Sequence, residues 1–328
     1  MSRRPVTLTR RCLLAAGVGL AAPAVVRADA TLRLRLGHAL PSSHPVHAAM
    51  EFFADQVRER TGGGIEIALF ANGELGQEVQ ILEQISAGRL DFAKVSGSVL
   101  ERIAPVHQIF NLPYLIRDEA HWAAVVTSPA GEEILASPIP GCLGLTFYHA
   151  GSRNFYARKP IRRPEDLAGL KIRIQPSPTT VRMITLLGAQ PIQLPWAATY
   201  SALQTGLVDG AENNVSSLVV GRHAEVTKYY SFDEHTMVPD VLIVSEQRWN
   251  TLNEAQRAAL RGAARASFSK MAVLWAGYEE EARRTAESLG IVFLRPDKAP
   301  FIARVMPLRA EFAADPRFRD LIARIERA

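Results

Sequence analysis

One local pattern occurs twice in this chain and constrains its fold more than any other feature. Ile85-Ser86-Ala87-Gly88-Arg89-Leu90-Asp91-Phe92-Ala93 is matched, about 118 positions later, by Leu203-Gln204-Thr205-Gly206-Leu207-Val208-Asp209-Gly210-Ala211. Both read as the apolar end of a helix, a glycine stop, an apolar–Asp step and a small residue opening a loop. Strand-like runs precede both helices, Ile65–Phe70 and Gln190–Leu194. The same half-unit is built twice, which predicts two similar α/β lobes with a cleft between them. Ligand contacts are then expected from loops at the strands' C-terminal ends.

The flanking segments fit that plan. Thr31 to Leu36 alternates strictly and reads as a strand. Pro45 suits the first turn of a helix carrying Ala49, Phe52, Phe53 and Val57, and Gly62-Gly63-Gly64 stops it. Ile65, Ile67 and Leu69 alternate as a second strand; Val79, Leu82 and Ile85 mark a second helix; Leu90 to Val95 is a third strand. This order predicts a parallel sheet. Leu143–Tyr148, Thr227–Phe232 and Val241–Ser245 are also strand-like. From Asn253 to about Leu289 the chain has no proline, and a helix of that length spans roughly 50 Å, enough to bridge both lobes. Phe301 to Ala328 reads as helical and charged.

The formal net charge of +5 belongs to the N-terminus. Residues 1–28 hold five arginines and no acid, so removing them from 38 basic residues leaves 33 against 33 acidic ones. The body therefore lacks the basic excess of a nucleic-acid binder. Thr9-Arg10-Arg11-Cys12-Leu13-Leu14 is a twin-arginine pattern, followed by an apolar stretch to Val26 and by Ala28-Asp29-Ala30, an A-x-A cleavage pattern. The stretch is shorter than the roughly 20 residues of a membrane span. The expectation is a cleaved export signal over 1–28 and a periplasmic protein with one cysteine, Cys142, hence no internal disulfide.

Several chemistries are excluded or set aside. Gly17-Val18-Gly19-Leu20-Ala21-Ala22 fits a dinucleotide fingerprint only formally, because it follows no strand. His38, His44 and His47 read as structural rather than metal-binding, and no cofactor is expected. Ser152 near His149 is a weak nucleophile–base pair. What remains is Arg153, Arg173, Trp196 and Asn213 at strand ends. Arg173 lies in the alternating Leu170-Lys171-Ile172-Arg173-Ile174, so with both isoleucines in the core it points to solvent or a cleft. Its planar fork fits a carboxylate. Trp196 opens the helix of the second half-unit and Asn213 follows its strand. From the residues alone, a surface ion pair for Arg173, a core place for Trp196 and a capping role for Asn213 fit equally well.

The longer motifs carry a resemblance. Gly37-His38-Ala39, Asn72-Gly73-Glu74-Leu75-Gly76, Gly88-Arg89-Leu90-Asp91-Phe92 and Leu112-Pro113-Tyr114 are followed by Asp166-Leu167-Ala168-Gly169-Leu170-Lys171-Ile172-Arg173 and by Ala202 through Gly206-Leu207-Val208-Asp209-Gly210-Ala211-Glu212-Asn213. From about Leu34 to about Val305 the chain resembles the DctP-type solute receptors of TRAP (tripartite ATP-independent periplasmic) transporters. The resemblance implies an α/β, two-lobed, type II-like periplasmic binding protein with a long helix bridging both lobes. It implies lobe I over 31–150 plus 239–278 and lobe II over 151–238 plus 279–328. It implies a monomer, not an enzyme, that captures an organic acid anion and delivers it to membrane permease subunits. By the same resemblance Arg173 binds the ligand carboxylate with Arg153 and Asn213, Trp196 packs on the ligand, and Ala39, Gln77 and Ser96 make variable first-lobe contacts. Asn214 stands where relatives often have proline. A cofactor-loaded exported enzyme and a ligand receptor for a sensor kinase are the alternatives. The acid remains open among sugar acids, aromatic acids and C4-dicarboxylates.

Overall fold

Leu34 and Leu36 are fully buried while Arg33 and Arg35 are exposed, so Leu32–Gly37 forms the first strand, β1, with one face on the core. The computed structural model describes residues 31–328; the twin-arginine pattern, the cleavage pattern and the Gly17–Ala22 fingerprint lie outside them. Pro45 opens helix α1 (Pro45–Arg60), capped by His44, and Gly62 and Gly63 leave it with positive φ. β2 (Ile65–Phe70), α2 (Glu78–Ser86), β3 (Phe92–Ser96) and the short α3 (Gly97–Leu100) follow. α4 (Glu119–Thr127) and α5 (Pro129–Ala136) lead to β4 (Cys142–Tyr148). The second half repeats the scheme as β5 (Arg153–Ala157), β6 (Lys171–Ile174), α6 (Pro178–Leu186), β7 (Gln190–Gln193), α7 (Thr199–Thr205), β8 (Gly210–Asn213) and α8 (Val215–Val220). β9 (Tyr229–Thr236) and β10 (Asp240–Ser245) come next.

Two sheets result. The first has the order β2-β1-β3-β10-β4; the second has β9-β5-β8-β6-β7, extended beside β9 by β11 (Val292–Leu294). The repeat is visible in the register. Leu36 pairs with Phe92 in one sheet and Ile172 with Gly210 in the other. Asp91 accepts the Arg35 backbone N–H at 2.9 Å, and Asp209 accepts that of Lys171 at 2.8 Å. Each aspartate therefore ties the neighbouring strand to its own half-unit.

The sheets are mixed, not purely parallel. β1 runs parallel to β2 and β3, and β6 to β7 and β8, as the strand–helix–strand order predicts. β10, however, is antiparallel to β3 and β4, and β5 is antiparallel to β8 and β9. Both are strands that have just crossed from the other sheet by a short connection. Without a crossover helix such a strand enters in the reverse direction.

After α9 (Glu246–Thr251), helix α10 (Glu254–Ser288) starts at an Asn253–Gln256 capping box and runs 35 residues, roughly 50 Å. Its Leu260, Ala263, Ala264, Met271 and Trp275 pack with Leu34, Leu36, Phe53 and Phe92 under the first sheet. Its Ala282 and Ala286 pack with Tyr156 and Tyr230 under the second. One rigid element thus belongs to both cores. The remaining helical stretch is broken at Asp315 into α11 (Ala299–Ala314) and α12 (Pro316–Glu326), because Pro316 lacks the N–H needed to continue the first helix. α11 packs on α6, and α12 returns to α5. No helix among the described residues is long and apolar enough to cross a membrane.

Candidate ligand-binding site

The C-terminal ends of β1, β3, β6 and β8 and the N-terminal ends of the reversed strands β5 and β10 face one cavity between the sheets. Ala39, Ser96, Lys94 and Asp240 line it from the first sheet, and Arg153, Gln175, Asn213 and Asn214 from the second. An adjoining cavity is lined by Gln77 and Arg173, and Glu78, Gln175 and Trp196 border both. All seven residues singled out from the sequence therefore lie on these two connected cavities. Repeat-related positions face each other across them: Ser96 caps α3 as Asn214 caps α8. Ser96 Oγ donates across the cleft to Gln175 Oε1 at 3.1 Å.

Arg153 opens a strand of its own, β5, rather than following β4 in a loop. In the β5–β8 register Phe155 stands opposite Glu212, so Arg153 is the diagonal neighbour of Glu212 on the same face. Its Nε and Nη2 meet the two Glu212 oxygens at 2.6 and 2.8 Å, and Nη1 donates to Asn213 Oδ1 at 3.0 Å. The network continues inward. His235 Nε2 lies 3.4 Å from Glu212, His235 Nδ1 lies 2.8 Å from Asp233, and Asp233 accepts the Phe155 N–H at 3.0 Å. Burial alone would raise the Glu212 carboxyl, but Arg153 and His235 outweigh it and hold it down at about 2. Burial works against a charged His235, but Asp233 and Glu212 push it up to about 9. Arg153 is thus a fixed, already neutralised cation.

Arg173 is different. It is 0 % exposed, so its strand face looks into the cleft and not to solvent. Nε and Nη2 both donate to the Leu194 carbonyl, at 3.0 and 2.7 Å. Nη1 is buried and has no hydrogen-bond partner. Among the described residues no carboxylate forms an ion pair with this guanidinium. Burial lowers its pKa, and the nearby Arg153 charge adds to that, against the pull of Tyr156 and Glu212. A buried cation without a counter-ion is costly, and an anion on Nη1 relieves that cost.

Trp196 begins a 3-10 turn (Trp196–Ala198) ahead of α7, one turn earlier than the helix itself. Its indole N–H is buried without a partner, and its ring lies 6.1 Å from that of His223. Gln77 occupies the N-cap position of α2, where its backbone N–H donates to Gln80 Oε1 at 2.8 Å, and its own side-chain Oε1 is likewise buried and unpaired.

Several lining residues were not singled out from the sequence. Lys94 is 2 % exposed and pairs with Glu78 and Asp240, both at 3.0 Å. Burial opposes its charge, but the two carboxylates outweigh it and raise its pKa. A lysine inside the otherwise apolar run Phe92-Ala93-Lys94-Val95 is the signal that could have found it, since an unpaired lysine is almost never fully buried. His44, which lines the cavity, accepts the Val46 N–H on Nδ1 at 3.2 Å, so in the neutral ring Nε2 carries the proton. His38 Nε2 lies 2.9 Å from His47 Nδ1, a structural pairing, and no group of three or more potential metal ligands forms among the described residues. His149 packs edge-on against Trp122 while Ser152 Oγ accepts from Asn154, so those two make no nucleophile–base pair.

The sequence profile of the bacterial extracellular solute-binding proteins of family 7 (DctP) matches residues 36–315. A TRAP periplasmic solute-binding protein from Xanthobacter autotrophicus Py2 with bound β-D-galacturonate is 39 % identical, with a TM-score of 0.88, over 90 % of this chain and 99 % of that one. One from a Bradyrhizobium species with bound α/β-D-galacturonate is 36 % identical, TM-score 0.88, over 90 % and 100 %. One from Anaerococcus prevotii with bound α/β-D-glucuronate is 34 % identical, TM-score 0.87, over 90 % and 99 %.

Proposed function

Because the chain belongs to the DctP family of bacterial extracellular solute-binding proteins, we propose that it captures a sugar-acid anion between its two sheets and delivers it to the membrane subunits of a TRAP transporter. The observation that carries this reading is Arg173, buried, without a carboxylate partner, with Nη1 unsatisfied on the cavity wall. Arg153 is held by Glu212 and orients Asn213, whose side chain borders the same cavity; these two complete the carboxylate end. Trp196 offers a ring face to a pyranose, and similar proteins hold uronates. Lobe I carries the first sheet and lobe II the second. Closing them around the ligand joins contacts that neither lobe has alone, so the ligand favours the closed form. The protein acts as a monomeric receptor rather than an enzyme.

The test is calorimetry with D-galacturonate and D-glucuronate and with their C6 amides. An acid binds, and its amide binds at least about 100-fold more weakly, since it lacks the charge that answers Arg173. Acid and amide of equal affinity would reject the reading. A melting scan gives a second readout: ligand at 100 times its Kd stabilises the fold by about 2.7 kcal/mol.

Export by the twin-arginine route is part of the same proposal. Replacing Arg10 and Arg11 together by lysine keeps the charge and removes the arginine pair. Cell fractionation is expected to find this variant retained inside the cell. Unchanged periplasmic accumulation would point to a different route.

A further inference from the structure

The two sheets present the same ion pair to the cleft with the charges exchanged. In the second lobe, Glu212 on β8 pairs with Arg153, the first residue of β5. In the first lobe, the repeat-related position on β3 is Lys94, and it pairs with Asp240, the first residue of β10. Both are diagonal cross-strand neighbours: Lys94 stands opposite Leu242, two residues from Asp240, as Glu212 stands opposite Phe155, two residues from Arg153. Glu78 joins Lys94 on the first-lobe side only. The second-lobe wall therefore carries Arg153 and Arg173 against Glu212, a net positive group. The first-lobe wall carries Glu78 and Asp240 against Lys94, a net negative one. A ligand spanning the cleft meets opposite polarity at its two ends.

We propose that Glu78, Lys94 and Asp240 are the specificity-determining residues of this receptor: they read hydroxyl groups at the end of the ligand remote from its carboxylate and reject a second carboxylate there. This rests on the sugar-acid reading above and deepens it. A hydroxyl both donates and accepts. It can give its proton to Glu78 or Asp240 and take one from Lys94, whose third N–H is not used by the two carboxylates. His44 Nε2–H adds a further neutral donor on the same wall. An acid without hydroxyls leaves these desolvated groups unanswered, which is the situation in which polar sites discriminate most strongly. A dicarboxylate puts its second anion against two carboxylates, so C4- and C5-dicarboxylates are excluded by charge rather than by size. Burial also raises the Asp240 carboxyl, chiefly through desolvation, against the pull of Lys94.

The experiment compares three probes on the full mature protein by calorimetry: the tighter-binding of D-galacturonate and D-glucuronate, tetrahydropyran-2-carboxylate (the same ring and carboxylate without hydroxyls), and glutarate. Wild type is expected to prefer the uronate over the hydroxyl-free acid by about 1,000-fold or more. Glu78→Gln is isosteric and leaves Lys94 paired with Asp240, so the fold is retained. It is expected to weaken the uronate about 10- to 100-fold, leave tetrahydropyran-2-carboxylate within about threefold, and strengthen glutarate. The opposite signs for uronate and dicarboxylate are what a merely structural Glu78 would not produce. Equal wild-type affinity for uronate and hydroxyl-free acid overturns the proposal, as does a Glu78→Gln variant that weakens all three alike. If wild type binds neither ring acid, the sugar-acid reading itself fails, and this proposal with it.

Discussion

Arg173→Ala is expected to weaken uronate binding by roughly 30- to several-thousand-fold, the 2–5 kcal/mol typical of removing one partner from a buried charge pair. The geometry argues for the upper part of that range. Nε and Nη2 are spent on the Leu194 carbonyl, which fixes the plane of the guanidinium and aims Nη1. The ligand therefore meets a pre-oriented donor and does not have to order it. Arg173→Lys retains a charge but has one nitrogen in place of the fork. It cannot both hold Leu194 and reach the ligand, so it too loses most of the affinity. The unliganded protein behaves in the opposite sense. Arg173 carries a desolvated charge that no carboxylate neutralises, so its removal is expected to leave the melting temperature unchanged or raise it. The measurement is a pair of curves, with and without ligand, for each variant alongside calorimetry. A folded Arg173→Ala protein of near wild-type affinity would remove this residue from the site and make Arg153 the next candidate.

Local signals in the chain identify most of the framework. The alternation of Leu32, Leu34 and Leu36, the glycines after α1 and α2 and the proline-free run of α10 each act over a few residues, so a linear reading finds them. The Asp91 and Asp209 repeat is legible for the same reason, because each aspartate binds a strand its own half-unit supplies. Arg173 stands out as a cation between two core isoleucines. What the linear reading misses depends on chain crossing. β5 and β10 pair with strands far away in sequence, so neither their reversed direction nor the contacts of their first residues can be read from their own composition. Lys94 is buried only because β10 brings Asp240 to it and α2 brings Glu78. Glu212 is legible as part of a motif, but its partners Arg153 and His235 come from two other strands. Arg173, the centre of the proposed carboxylate contact, is thus legible locally, whereas the Arg153–Glu212 pair and the proposed specificity residues Glu78, Lys94 and Asp240 are brought together only by the tertiary fold.

Glu212→Ala is expected to be among the most destabilising single changes outside the apolar core, costing about 3–5 kcal/mol, because it leaves Arg153 and His235 buried with lost partners. The pH dependence identifies the cause. Glu212 titrates at about 2 in the folded protein, below its ordinary value, so its contribution is present above about pH 4.5 and is lost as pH falls through about 2. His235 titrates at about 9, above its ordinary value, with Glu212 and Asp233 stabilising its charge. Its contribution is complete below about pH 6.5 and is lost as pH rises through about 9. A shift of that size corresponds to something on the order of 3 kcal/mol. His235→Gln keeps a hydrogen-bonding side chain and removes the titration. The stability difference between wild type and His235→Gln, taken from denaturant unfolding, is therefore expected to be largest near pH 6 and to shrink towards pH 9.5. Arg153 keeps both bonds to Glu212 in that variant, so uronate affinity at pH 6 is expected to stay within about threefold of wild type. A His235→Gln cost that stays constant across the range would show that folding does not raise the His235 pKa, leaving Arg153 as the main cation that holds Glu212 ionised.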